Sequence, residues 1–178
     1  KILIRDFGEL ENLQVLKKGP KDFVTNSDRT VEKILIDELM KYKKKFSFLT
    51  EETGYIKNED TENIWIIDPI DGTNNFLHGV PHFCISIAFQ SNNEILTGLI
   101  FDPIKNEIFY AEKNQGAFFN NHRIRVSKKK DLDECLFATN YRGLVQTKLN
   151  SRNTGSAALD LAYVGAGRFD GYFQDNLN

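Results

Sequence analysis

The stretch Trp65–Phe76, WIIDPIDGTNNF, decides how the chain reads. Trp65, Ile66 and Ile67 form the apolar run of a buried strand. Asp68 stands at its carboxyl end, where α/β sheets place their ligand sites. Pro69 has no N–H and is expected to end the strand pairing. Asp71 follows three residues after Asp68, and Gly72 permits a tight turn and a close approach to the backbone. Thr73, Asn74 and Asn75 then open a helix whose free N–H groups favour a phosphate. Two carboxylates this close repel each other unless a cation or a proton intervenes. An all-oxygen donor set suits Mg²⁺, Mn²⁺ or Ca²⁺ rather than a soft metal. Taken together, a cation site beside an anion site describes metal-assisted phosphate chemistry. The competing reading is a surface turn, because Asp, Pro and Gly are all turn residues.

Upstream lies a second strand end that carries acids. In FLTEETG, Glu51 and Glu52 close an apolar run. Alone they read as a solvated turn. With Asp68 and Asp71 they make the second half of a multi-carboxylate site. Residues 1–16 read as the end of a helix, with Ile2, Leu3, Phe7, Leu10 and Leu13 at three- and four-residue steps. Gly19-Pro20 breaks it. A second helix is predicted over 24–45, with Val31, Ile34, Leu35 and Leu39 on one face and a Thr25/Asp28 capping box at its start. YIKNEDTEN reads as a polar loop between two strands, and 83–127 as a β meander divided by SNNE, DPIKNE and KNQG. A strand, CLFAT, a helix over 155–168 and a strand at DGYF follow, while 141–153 shows no clear period. This order predicts mixed α/β architecture, with sheets sandwiched by helices. It also predicts one domain over 1–178. Residues 1–127 would carry helices, a mainly antiparallel sheet and the metal site, and 128–178 would begin a second α/β half. The ends and the region around Gly143 read as incomplete.

Composition narrows the function classes. With 178 residues, 40% hydrophobic and 27% charged, the chain is that of an ordinary globular domain. A net charge of −2 gives no electrostatic reason for a nucleic-acid or membrane partner. No apolar run approaches the roughly 20 residues that span a bilayer. Cys84 and Cys135 sit in no metal or redox motif and read as buried free thiols of a cytoplasmic protein.

Three segments in order, EETG, WIIDPIDGTNNFLHGVPHFCISIAF and GSAALDLAYVGAGRFDGYF, resemble the inositol monophosphatase family, in particular its bacterial branch. The resemblance runs from about Lys17 to the end. It implies an αβαβα sandwich, a homodimer and lithium-sensitive, Mg²⁺-dependent hydrolysis of a small phosphate monoester. Two or three Mg²⁺ ions are implied per active site, with Mn²⁺ a possible substitute. By motif position, Glu51, Asp68, the carbonyl of Ile70 and Asp71 are implied metal ligands, with Asp68 bridging two ions. Thr73, supported by Asp28, would hold the attacking water, and Gly72 and Thr73 would offer N–H groups to the phosphate. Gly155, Ser156, Ala157 and Gln174, together with Asp71, would meet the hydroxyl-bearing ring. Lys17 matches a lysine near the metals, and Asp160 reads as structural.

The chain departs from the family pattern at Thr50, Thr53 and Asn74. At Gln174 many members have a charged Glu. A Trp-Asp motif carrying a last metal ligand is expected beyond Asn178. The related activities on fructose bisphosphate, 3′-phosphoadenosine phosphate or NADP are alternatives, as is a non-catalytic binding member. His78, His82 and His122 are not expected to be catalytic, and VSKKK reads as a solvated turn.

Overall fold

The computed structural model describes residues 1–16, 20–140 and 149–175, with side chains throughout except at 11–16 and 20–25. Helices α1 (Ile2–Leu16) and α2 (Pro20–Tyr42) form the first layer. The predicted start of α2 at 24 falls short: the helix begins at Pro20, so Thr25 lies inside it rather than at its start. Proline at a first helical position needs no N–H partner and already has a helical φ. Leu3, Leu10 and Val31 from this layer pack with Ile70, Phe76 and Phe83. The Phe76 and Phe83 rings meet edge to face at 5.0 Å, with Phe7 5.2 Å from Phe83. This apolar cluster lies directly beneath the Asp68–Asp71 turn and anchors it through Ile70 and Phe76.

The second layer is a sheet of β1 (Phe46–Thr50), β2 (Gly54–Ile56), β3 (Asp60–Asp71), β4 (Cys84–Ser91), β5 (Glu94–Asp102), β6 (Glu107–Glu112), β7 (Gly116–Phe119) and β8 (His122–Arg123). Its order is β2-β1-β3-β4-β5-β6-β7-β8. β1 and β3 are parallel and the remaining pairs antiparallel. Two expectations need correcting here. The polar stretch 55–63 is not a loop throughout, since it supplies most of β2 and the start of β3. Their exposed residues carry no apolar alternation, so pairing with β1 makes them strands. Nor does pairing end at Pro69. The ladder runs to Asp68↔Ser86, slips, and resumes at Asp71↔Cys84. Pro69 and Ile70 form a bulge, which is how a sheet accommodates a residue with no donor. The bulge holds both aspartates on one strand end. Asn92 and Asn93, with φ of 50° and 63°, make the tight β4–β5 turn predicted at SNNE.

Alternate residues of β4 serve opposite layers. Ile85 and Ile87 face Leu35 of α2. Cys84 packs with Leu159 and Ala162 of α4 (Ala157–Gly165). Helix α4 also touches β11 of a second, parallel sheet ordered β10-β9-β11. Its strands are β9 (Leu136–Thr139), β10 (Asn150–Arg152) and β11 (Gly171–Phe173). The described layers therefore run helices, large sheet, helix, small sheet. β10 was invisible in the sequence because Asn150, Ser151 and Arg152 are a polar edge with no periodicity. At the far end of α4, Arg168 makes two 2.7 Å bonds to Glu107 and stacks on Phe119 and Tyr163. The guanidinium fork ties the helix to β6.

Candidate active site

Glu51 leaves β1 in a turn, its N–H bonded to the Ile67 carbonyl at 3.2 Å. Asp68 lies one residue beyond that carbonyl on β3, and its Oδ1 accepts from the Ile70 N–H at 3.0 Å. Burial, followed by a hydrogen bond with Glu51 and the charges of Glu51 and Asp71, pushes the Asp68 carboxyl up to about 8. Asp28, buried on α2, is pushed up to about 7 by burial and by the charges of Glu52, Glu51 and Glu32. Two acids that hold their protons near neutrality mark a concentration of negative charge that a cation would relieve.

Two helices shape this cluster. Glu32, one turn after Asp28 and 1% exposed, accepts from the N–H groups of Glu52 at 2.9 Å and Thr53 at 3.1 Å and from the Thr53 hydroxyl at 2.5 Å. It clamps the turn that carries Glu51. Sequence reading missed this role, although Glu32 lies four residues from Asp28 on the same helix face. Glu32→Ala is expected to destabilise the fold by about 2 kcal/mol, because three donors lose their acceptor and relief of repulsion with Asp28 offsets only part. Chemical denaturation measures this, and an unchanged midpoint would mean that water serves the turn equally well.

Asp71 turns the other way, toward α4. Its Oδ2 accepts from the Ser156 hydroxyl and from the Ala158 N–H at 2.8 Å. Ser156 is the N-cap of α4, and its oxygen accepts from the Leu159 N–H at 3.4 Å. A carboxylate at a helix N-terminus is stabilised by the unpaired N–H groups and the dipole. Gly72 makes this approach possible. Its φ is +93°, and a Cβ there would lie 3.0 Å from the His82 carbonyl oxygen and 3.2 Å from Ser156 Cβ. The Cys84 thiol beneath is pushed up by burial and by the charge of Asp71, so it stays protonated.

Beside Asp71 a cavity of about 360 Å³ opens between the two sheets. Asn74, Asn140, Asn153, Asp160, Tyr172 and Gln174 line it, with Gly155, Ser156 and Ala157. Gln174 accepts a hydrogen bond from the Tyr172 hydroxyl. Asp160 is buried, with the Thr154 hydroxyl 2.6 Å from each of its oxygens. A cavity of about 300 Å³ between α4 and β4–β7 has mainly hydrocarbon walls and no charged side chain among its described lining residues.

The structure thus brings Glu51 and Asp68 together, sets Asp71 at the junction with α4, and gathers Gly155, Ser156, Ala157 and Gln174 at one cavity. No direct hydrogen bond joins Thr73 to Asp28 among the described residues. The Thr73 hydroxyl donates to the Ile70 carbonyl at 2.9 Å, which the tight turn brings within reach three residues back. Asp28 Oδ1 is buried with no hydrogen-bond partner among the described residues. Lys17 lies outside the described residues. His78 Nδ1 meets the Asn74 carbonyl, and His122 is exposed on β8. The donor set of Glu51, Asp68, Asp71 and the Ile70 carbonyl fits Mg²⁺ by its chemistry, being all oxygen and strongly anionic. Among the described residues, no three His, Cys, Asp or Glu side chains converge as a finished cage. One oxygen of Asp71 is engaged by α4, and one oxygen of Asp68 accepts from the Ile70 N–H.

Residues 1–178 match the model of the inositol monophosphatase family. The chain belongs to that family. Among relatives in the inositol monophosphatase family, the inositol-1-monophosphatase of Rhizobium meliloti is 44% identical over 192 aligned positions, covering 99% of this chain and 72% of that protein. The Nus factor SuhB of Escherichia coli K12 is 38% identical, with the same coverage of each chain. The crystal structure of the extragenic suppressor protein SuhB from Bartonella henselae superposes with a TM-score of 0.88 at 44% identity, over 99% of this chain and 72% of that one. The family supports a phosphatase and is generally Mg²⁺-dependent. No helix among the described residues is long and apolar enough to cross a membrane.

Proposed function

We propose that the chain forms the catalytic part of a Mg²⁺-dependent phosphomonoesterase that hydrolyses inositol monophosphate to inositol and phosphate. One observation carries the choice of substrate. The cavity beside Asp71 is lined by amides, hydroxyls and two carboxylates, and no Lys, Arg or His is among its described lining residues. Such a wall suits a neutral ring that offers hydroxyl donors. It repels a second phosphate, which disfavours fructose bisphosphate, 3′-phosphoadenosine phosphate and NADP.

In this reading Glu51, Asp68, the Ile70 carbonyl and Asp71 hold the cations. When bound, two or three Mg²⁺ ions, or Mn²⁺ in their place, would neutralise phosphate oxygens and lower the pKa of water. The chain's own groups do the rest. Gly72 and Thr73 give N–H groups to the phosphate. Thr73, its hydroxyl donating to a carbonyl, keeps lone pairs that accept from a water and orient it. Asp28, with its proton affinity near neutrality and Oδ1 without a partner, is the acceptor proposed for the proton that leaves. Gly155, Ser156, Ala157, Gln174 and Asp71 orient the ring. A homodimer, a cytoplasmic location, a single domain over 1–178, and no membrane or nucleic-acid partner belong to the same proposal.

The test is a panel assay of the full-length protein with Mg²⁺. The value of kcat/KM for inositol monophosphate should exceed that for each bisphosphate or nucleotide by at least about 10-fold, the scale of a few mismatched polar contacts. A preference for any bisphosphate defeats the substrate assignment. The second reading, a binding member, is favoured by the Nus-factor names of several relatives. Hydrolysis of no ester in the panel would select it.

Gln174 gives a finer prediction. A glutamate there would accept ring hydroxyls as a charged group, and such bonds are roughly twice as strong as neutral ones. Gln174→Glu should lower KM for inositol monophosphate and leave kcat within about 3-fold, with little effect on p-nitrophenyl phosphate, which has no ring hydroxyls. Equal changes for both esters would move Gln174 out of the ring pocket.

A further inference from the structure

Asn75 holds three segments together at the centre of the molecule. It lies on the short helix α3 (Thr73–Leu77), two residues after Thr73. Its side-chain amide donates to the carbonyl of His82 at 2.7 Å, in the loop leading to β4. It also donates to the carbonyl of Thr154 at 2.7 Å, in the segment leading to α4. The second bond spans 79 residues and joins the large-sheet half to the small-sheet half. Both hydrogens of one NH₂ group are thereby used, each on a backbone carbonyl of a different segment.

The packing around this amide is equally specific. Gly155, next in the chain to Thr154, has φ of +90°, and a Cβ there would come within 2.8 Å of Asn75 Nδ2. So Gly155 is tolerated at that distance because it has no side chain. One residue further on, Ser156 caps α4 and bonds Asp71. The His82 carbonyl that accepts from Asn75 is also the atom a Cβ on Gly72 would meet at 3.0 Å. The amide therefore fixes the spacing between two walls. One wall is the Asp71–Thr73 turn. The other is Thr154–Ala157, which borders the ring cavity.

We propose that Asn75 is a positioning residue that sets the ring-binding edge, Gly155–Ala157, against the Asp71–Thr73 turn, and so determines affinity for the alcohol part of the ester. The inference rests on the proposed function and adds a specificity determinant that touches neither phosphate nor ring. Asparagine is required because its two donors must meet two carbonyls. Aspartate has the same shape and no donor, so Asn75→Asp sets a carboxylate against two carbonyl oxygens and opens the clasp.

The experiment compares wild type, Asn75→Asp and Asn75→Ser in the full-length protein by two readouts. The first is steady-state kinetics on inositol monophosphate and on p-nitrophenyl phosphate. Asn75→Asp should raise KM for the inositol ester by about 10-fold or more, since two hydrogen bonds are lost. Its kcat on p-nitrophenyl phosphate should stay within about 3-fold, because Glu51 and Asp68 are held from β3 and α2 and not by the Thr154–Ala157 wall. Asn75→Ser, which keeps one donor, should fall between. The second readout is amide hydrogen exchange over 150–160, which should quicken in Asn75→Asp while exchange in β4–β6 stays unchanged. Equal losses on both esters, or unchanged exchange at 150–160, overturn the inference. If wild type hydrolyses neither ester, the proposed function fails, and the exchange comparison alone then decides whether Asn75 holds the two walls.

Discussion

Asp68→Asn is expected to lower turnover of the full-length protein by at least about 10³-fold and, in the presence of a chelator, to raise its melting temperature. The catalytic loss follows from the position proposed for Asp68 between two cations, where one neutral substitution weakens both. The gain in stability follows from the metal-free cluster. Burial, contact with Glu51 and the charge of Asp71 lift the Asp68 carboxyl to about 8 from an ordinary value of 3.8. A folded-state value above the unfolded one means that the unfolded chain binds fewer protons between these limits. Stability from this group is thus complete below about pH 4 and is lost as pH rises through about 8. Asparagine carries no charge and does not titrate, so the variant escapes that loss. In EDTA, wild type should melt lower at pH 8 than at pH 5 by more than Asp68→Asn does. The difference should be at least about 2 °C, the shift given by roughly 1 kcal/mol in a chain of this size. Differential scanning calorimetry at the two pH values measures it. A variant retaining more than about a tenth of wild-type turnover contradicts the bridging role. A variant with the wild-type pH slope contradicts the electrostatic account of the cluster.

Exhaustive chelation is expected to abolish phosphatase activity of the full-length protein, and Mg²⁺ or Mn²⁺ to restore it. Glu51, Asp68 and Asp71 are mutually repelling acids, and among the described residues no Lys or Arg forms an ion pair with any of the three. A divalent cation is the group that their chemistry favours. Because it binds the folded state, adding Mg²⁺ to the chelated protein should also raise the melting temperature, by an amount that grows with the logarithm of its concentration. Lithium is expected to inhibit in competition with one of the restored ions. Full activity after chelation would falsify the metal mechanism outright. Recovery of activity with no thermal shift would instead place the cation outside this cluster.

The sequence by itself determined the local parts. Apolar runs that end in acids, at Glu51 and at Asp68, are readable without coordinates because strand periodicity and charge are local properties. So is the Asn92-Asn93 turn. The family follows from three motifs in order. Tertiary structure decided everything that depends on which segments meet. β10 is a polar edge that only β9 makes into a strand. Pro69 bends β3 without ending it, because β4 resumes its pairing at Asp71. The Thr73 hydroxyl donates to the Ile70 carbonyl because the bulge brings that carbonyl close. Glu32 clamps the Glu51 turn from α2, and Asn75 joins segments 79 residues apart. These last choices are set by hydrogen-bond satisfaction in a buried space. A polar residue in a linear sequence has many possible partners, and packing leaves it with one or two.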